Sequence, residues 1–273
     1  MAASECDASA PAKRFLSQPA KLQFSQRLTC WWSAVARPEP PPLFAAGRLG
    51  ANVLLVERYN HLGGLSTGGL VIWIDRMTDW SGRQVIRGLA DELMERLPKD
   101  AIQGPPRADW GNRDAATAAC WAQRTAAYHG IVTWSPTIDP EALKTLSLRM
   151  AEEAKVQLLL HAWCTAPIIE DGVVRGVIFE SKEGRHAILA KVVIDTTGDA
   201  DLIARSGARC ESDVDASDIH HCMNTVFLLG GVDMERWLAF RSQEPDSFAA
   251  FMALGRNSSR SRSCRGATTW HCS

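Results

Sequence analysis

Asn52-Val53-Leu54-Leu55-Val56-Glu57 decides the fold. An unbroken aliphatic run with an acid at its carboxyl end reads as a strand buried on both faces. A strand with one solvated face would alternate apolar and polar residues instead. Just before it, Leu43 to Gly50 reads as the end of a helix: Phe44, Ala45 and Ala46 are apolar or small, and Gly50 supplies a left-handed cap. Just after it, Arg58-Tyr59-Asn60-His61-Leu62-Gly63-Gly64-Leu65-Ser66-Thr67-Gly68-Gly69 shows neither a 2.0 nor a 3.6 period and places four glycines in seven residues. Glycine has no Cβ, so such a stretch lets backbone approach a flat or phosphorylated ligand.

Working outward, Ile86, Leu89, Ala90, Leu93 and Leu97 form the stripe of a helix from about Gln84 to Leu97, stopped by Pro98. Asp139 and Pro140 make the N-cap and first turn of a second helix, whose inward face is Leu143, Leu146, Met150 and Ala154. A strand is expected from Val156 to Trp163. Ile168-Ile169, Val173 to Glu180 and Ala187 to Leu189 follow, turning at Glu170-Asp171-Gly172 and Lys182-Glu183-Gly184 as an antiparallel meander. Lys191 to Asp195 reads as another buried strand, and Leu202 to Ser206 as a short helix capped by Gly207. This order implies an α/β fold: a parallel Rossmann-like sheet with the antiparallel meander inserted as a crossover.

Three groups could carry chemistry. Glu57 ends a buried strand, where an acid in a dinucleotide fold accepts hydrogen bonds from adenosine ribose hydroxyls; otherwise it is a solvated strand end. The Gly63-Gly64 and Gly68-Gly69 pairs, with the Ser66 and Thr67 hydroxyls, suit close approach to a ligand; otherwise they form a mobile surface loop. Thr197-Gly198-Asp199 follows a buried strand and precedes a helix, at the switch point where α/β folds bind ligands. Asp199 either caps that helix or accepts a bond from a cofactor hydroxyl. His220-His221 beside Cys222 does not converge on one ion if the segment is a strand, because adjacent side chains then point to opposite faces. No G-x-S-x-G elbow occurs, and no catalytic residue is nominated.

Composition excludes several classes. With 273 residues, 46% hydrophobic, the chain can bury a sizeable core, and its formal net charge of −1 recruits neither nucleic acid nor an anionic membrane. The eight cysteines form no C-x-x-C pair and fit neither a zinc site nor a cluster run. Reduced thiols in a cytoplasmic protein are expected. No apolar run reaches the roughly 18–20 residues that span a bilayer.

Residues 1–42 contain no glycine and end in Pro38-Glu39-Pro40-Pro41-Pro42, which is unsuited to helix or strand. They are expected to be a disordered leader unrelated to the rest. Residues 256–273 hold four arginines and five serines with almost no aliphatics. They read as a basic tail produced by a shifted reading frame or a misplaced gene end.

Ala45 to Arg58, followed by Leu62-Gly63-Gly64 and Ser66-Thr67-Gly68-Gly69, resembles the FAD-dependent oxidoreductase family that includes the heterodisulfide reductase A-like flavoproteins. Val193-Ile194-Asp195-Thr196-Thr197-Gly198-Asp199-Ala200-Asp201 resembles it too, and the likeness covers residues 43–255. The resemblance implies non-covalent FAD, redox chemistry at the flavin, and a small-molecule substrate or electron carrier as partner. It implies that Glu57 and Arg58 meet the adenosine ribose region and that Gly63, Gly64, Ser66, Thr67 and Gly68 run beside pyrophosphate and flavin. The backbone near Cys164 would flank the adenine, and Thr197, Gly198 and Asp199 would complete the pyrophosphate and ribitol side. Relatives with 4Fe–4S clusters exist, but no cysteine run here supports one.

The departures from the family are as informative. The family opens with a strand and a G-x-G-x-x-G loop. Here Trp31 to Pro42 stands at that place without a glycine, so the first strand and the loop are expected to be missing. Lys155 stands where the family has a left-handed glycine, a cost of about 1 kcal/mol. The expected organisation is a leader over 1–42, an FAD-binding α/β domain over 43–215 lacking that first strand and loop, the start of a substrate domain over 216–255, and a tail over 256–273. The expected function is an FAD-dependent oxidoreductase truncated at both ends with impaired cofactor binding. The alternatives are an inactive remnant serving as an interaction module and an NAD-linked dehydrogenase.

Overall fold

The computed structural model describes residues 20–21, 28–33, 41–210 and 226–258. In chain order the elements are β1 (Ala20–Lys21), β2 (Leu28–Ser33), α1 (Pro41–Arg48), β3 (Val53–Val56), α2 (Leu89–Arg96), β4 (Ile102–Gln103), α3 (Ala115–Ala122), β5 (Ala127–Tyr128), β6 (Ile131–Val132) and β7 (Thr137–Ile138). They continue as α4 (Pro140–Glu153), β8 (Gln157–Leu159), β9 (Trp163–Glu170), β10 (Val173–Ser181), β11 (Gly184–Thr196), α5 (Asp201–Arg205), α6 (Met234–Gln243) and α7 (Pro245–Ser258). The chain divides into two compact units: residues 1–68, 86–101 and 140–209 form one, and residues 69–85, 102–139 and 210–273 the other.

The first unit holds a seven-stranded sheet in the order β8-β3-β2-β11-β10-β9, with β1 paired to β11. β8, β3, β2 and the second half of β11 are parallel, while β9, β10 and the first half of β11 form the antiparallel meander. The α/β class, the parallel sheet and the meander crossover expected from the sequence are therefore present. β3 is buried along its whole length, as its continuous apolar run requires. On one side a core of Leu54, Val56, Cys164, Phe179, Ile188 and Leu202, among others, joins β3 to the meander and α5.

Several expectations need correction. The strand slot expected to be vacant is filled: β2 pairs in parallel with β3 through Thr29–Val53 to Trp31–Leu55, and with β11 through Leu28–Ala190 to Ser33–Thr196. Leu-Thr-Cys-Trp-Trp-Ser lacks a pattern strong enough to announce a strand, and its place comes from two hydrogen-bond ladders. Pro41 and Pro42, read as unfit for helix, open α1, because proline in a helix's first turn removes only N–H groups that have no intrahelical acceptor. The helix expected from Gln84 begins at Leu89: Gly88 has φ 76°, and Gln84 forms a bridge with Thr78. The strand expected from Val156 to Trp163 is broken at His161, whose φ is 56°. The meander's last strand and the following parallel strand are one element, β11, with a register shift between Ala190 and Val192. α7 continues to Ser258, into the segment read as tail.

Lys155 does adopt the left-handed conformation, at φ 57°, and ends α4 where glycine would carry no Cβ penalty. Gly47 meets this turn: a Cβ there would overlap the Ala154 carbonyl oxygen. The missing side chain thus sets how closely α1 approaches the end of α4.

Charges tie α1, α2 and α4 together. Arg48 donates two bonds of 2.7 Å to Glu92, and Arg96 bridges Glu92 at 3.1 Å and Glu153 at 2.7 Å. The two-point bond from Arg48 is the main cause holding the Glu92 carboxyl down to about 2; partial burial opposes it and Arg96 adds to it. The folded value lies below the ordinary 4.5. The ionised carboxylate therefore favours folding above that pH, and the stabilisation is lost as pH falls from about 4.5 towards about 2. Arg48 and Glu92 keep 38% and 29% of their side-chain surface, so solvent screening limits the effect. Arg48→Met should cost about 1 kcal/mol at neutral pH. In urea unfolding, the difference from the parent should shrink as the pH approaches 2.

The second unit contains the two-stranded pairs β4–β7 and β5–β6 with α3, α6 and α7. Asp114 caps α3 through a 2.9 Å bond from the Thr117 N–H. Asp233 caps α6 in the same way through Arg236, as short helices require when no intrahelical acceptor exists. Trp110 and Trp134 stack at 5.2 Å, and Trp237 packs against Phe240, Phe248 and Phe251. Among the described residues, no helix is long and apolar enough to cross a membrane.

Candidate functional site

The parallel ladders bring three strand ends to one level. Ser33 is level with Thr196. Continuing the Trp31–Leu55 register by two residues places Ser33 beside Glu57. Only β2 separates the carboxyl ends of β3 and β11, so Glu57 and Thr196 stand about 10 Å apart, two strand spacings, on the same edge of the sheet. Gly198 and Asp199 follow Thr196 directly.

Glu57 is not a solvated strand end: it is 1% exposed. Its Oε1 accepts the Tyr59 N–H at 3.0 Å. Its backbone N–H donates to the Leu159 carbonyl at 2.9 Å, and its carbonyl accepts from Ala162 at 3.0 Å. A carboxylate is buried only with such partners, because leaving it unpaired away from water is costly. Beside it, the Arg58 guanidinium lies 4.5 Å from the Tyr59 ring centre and 5.8 Å from that of Trp163, and donates to the Tyr59 hydroxyl. Cys164 follows Trp163 with its thiol in the apolar core, which leaves only its backbone for any ligand.

The glycine-rich stretch is held by its own bonds. Gly63 at φ 102° and Gly64 at φ 51° open a short 3-10 turn, Gly64–Ser66. Thr67 is fully buried; its hydroxyl donates to the Leu62 carbonyl at 2.8 Å. A Cβ on Gly63 would come within 2.5 Å of the Thr67 methyl. Ser66 is buried as well, its N–H donating to Gly63 O at 3.1 Å. Gly68 leaves space for the His61 ring, which stacks on Tyr59 at 5.6 Å. Burial, with the Lys144 charge adding to it and Glu141 opposing, pushes the His61 imidazole below its ordinary value. Of the expected hydroxyl donors in this loop, Thr67 already serves the loop itself.

The turn after β11 corrects another expectation. Asp199 does not cap α5. Its N-cap is Ala200, at φ 56° with no side-chain bond. Asp195, which the sequence does not single out, holds the turn. Its Oδ2 accepts the N–H groups of Leu202 and Ile203, both at 2.9 Å, and its Oδ1 accepts that of Thr197 at 2.9 Å. Thr197 Oγ1 accepts from Asp201 at 2.8 Å. Gly198, at φ 86°, makes the sharp bend possible. The spacing from Asp195 to Leu202 is too long for a capping motif readable in sequence, which explains why it stays hidden there. Asp199 is left exposed on this edge.

Among the described residues, the edge offers partners to the nucleoside half of a dinucleotide and few to its diphosphate. Arg58 Nε and Thr196 Oγ1 are buried without a hydrogen-bond partner among the described residues. They flank β2 and suit the oxygens and ring nitrogens of a nucleoside. A diphosphate needs free backbone N–H groups and a helix N-terminus. α1 opens with Pro41 and Pro42, which have none, and residue 40 is also proline. Among the described residues, no group of three or more His, Cys, Asp or Glu could hold a metal ion; His220, His221 and Cys222 lie outside those residues.

A family described as FAD dependent oxidoreductase matches residues 44–265. No curated protein matches the chain. Similar solved structures include a geranylgeranyl bacteriochlorophyll reductase-like protein from Thermoplasma acidophilum, with 14% identity, TM-score 0.43, and coverage of 67% of this chain and 43% of that one. L-proline dehydrogenase from P. horikoshii has 11% identity and TM-score 0.42, covering 68% of this chain and 57% of that one. THI4 from Thermovibrio ammonificans has 14% identity and TM-score 0.35, covering 65% of this chain and 61% of that one. The chain therefore spans less than two thirds of each of these proteins.

Proposed function

The chain belongs to the FAD-dependent oxidoreductase family, and from that premise we propose that it carries this family's nucleotide edge as part of a larger enzyme and retains FAD poorly. One observation supports the reading above the others: Glu57 and the Thr197-Gly198-Asp199 turn follow the carboxyl ends of β3 and β11, parallel strands that flank β2 on either side. Within the family, Leu62-Gly63-Gly64 and Thr197-Gly198-Asp199 favour kinship with the heterodisulfide reductase A-like flavoproteins.

In this reading Glu57 and Arg58 meet the adenosine, and the loop of Gly63, Gly64, Ser66, Thr67 and Gly68 runs towards the pyrophosphate and flavin. Cys164 contributes backbone, and Thr197, Gly198 and Asp199 bound the far side. The first unit, which includes β2, carries the cofactor edge, and residues 216–255 belong to the second unit, where they begin a substrate domain. The partner is a small-molecule substrate or electron carrier, with redox chemistry supplied by flavin in the complete enzyme, and the location is cytoplasmic.

Purified chain should lack the visible absorbance of stoichiometric flavin, yet added FAD should raise its melting temperature. At ten times Kd the stabilisation is about 1.4 kcal/mol, a shift of about 3–6 °C for a chain of this size. A shift with NAD and none with FAD would refute the proposal in favour of an NAD-linked dehydrogenase.

A further inference from the structure

We infer that this edge recognises an adenine nucleoside and gives a dinucleotide's diphosphate almost no hold, an inference that rests on the cofactor reading of the strand ends. On the nucleoside side, Trp163 and Tyr59 expose 53% and 44% of their surface; Arg58 and His61 both pack on the Tyr59 ring, which leaves Trp163, 5.8 Å from the Arg58 guanidinium, as the stacking face. The Ala162 N–H bond to the Glu57 carbonyl pins this aromatic platform beside the buried acid. A purine stacks on such rings whatever its substituents, and Arg58 Nε is a buried donor without a partner among the described residues.

On the phosphate side, among the described residues, the first turn of α1 and the start of α5 are both poor anion sites. α1 offers no N–H at its first two residues. Its first glycine, Gly47, lies near its far end, packed against the Ala154 carbonyl. The amides of Leu202 and Ile203, at the start of α5, are occupied by the Asp195 carboxylate. That carboxylate, with Glu57 and Asp199, also makes the edge acidic, and like charges repel a diphosphate.

Calorimetric titration of the full chain with adenosine, ADP and FAD tests this. The three dissociation constants should agree within about threefold, because two charge-assisted phosphate contacts would otherwise make ADP and FAD at least about 100-fold tighter. Trp163→Ala should weaken all three alike, by about tenfold. The double variant Pro41→Ser, Pro42→Ala restores two N–H donors and should tighten ADP and FAD about tenfold or more while leaving adenosine unchanged. FAD binding 100-fold tighter than adenosine to the parent chain would overturn the inference and leave the family reading intact. Binding of FMN or NAD with no response to adenosine or FAD would overturn both. No binding of any of these ligands would overturn the claim of adenine recognition.

Discussion

Asp195→Ala should lower the unfolding free energy by about 3 kcal/mol and selectively loosen the turn that carries Gly198 and Asp199. Asp195 accepts backbone N–H groups from Thr197, Leu202 and Ile203, each at 2.9 Å. Removing one N-cap costs about 0.5–2 kcal/mol, and bonds to a charged acceptor are the stronger ones. Here one carboxylate caps α5 and closes the turn leading to it, so the losses combine. α5 is only five residues long and is too short to hold itself without a cap. Asp195→Asn keeps one acceptor oxygen and should lose about half as much. Urea unfolding gives the global change, and hydrogen exchange at Leu202 and Ile203 gives the local one. A global loss below about 1 kcal/mol, with those amides still protected, would show that the turn is held by other means.

Phe44→Ala should cost about 4 kcal/mol. Phe44 lies on α1 and is 0% exposed, among the largest fully buried side chains. Its helix packs against β3 and α4, so truncation leaves a cavity that several elements must close to fill. The cost is the lost transfer free energy plus that cavity. Leu49, one residue beyond the same helix and 87% exposed, is the control: Leu49→Ala should change stability by no more than about 0.5 kcal/mol. Equal effects at the two positions, measured from urea midpoints at constant slope, would mean that α1 does not pack as described.

The parts of the site that were legible share a physical cause. Val53 to Val56 announces a doubly buried strand because burial on both faces leaves no room for polar alternation. Gly63, Gly64 and Gly198 stand where the backbone takes positive φ, from 51° to 102°, a region most side chains disfavour. Lys155, at φ 57°, stood out only through the family resemblance, which puts a glycine at that place. Asp195 was not readable, because its partners lie up to eight residues away around a turn whose path local sequence does not define. The surroundings of Thr67 and Arg58 were equally hidden: a hydroxyl or guanidinium in a glycine-rich stretch reads the same whether it faces a ligand or its own loop.

By itself the sequence determined the strand–glycine–helix order, the meander and the absence of N–H groups at Pro41 and Pro42. These follow from covalent structure and from interactions spanning only a few residues. Tertiary structure alone decided that Leu28–Ser33 fills the slot between β3 and β11, that β11 is one strand serving two sheet geometries, and that Glu57 and Gly198 share an edge. Those outcomes depend on hydrogen-bond ladders between segments as far apart as Ser33 and Thr196. A ladder is satisfied by the partner strand's backbone and leaves little mark on the side chains that carry it.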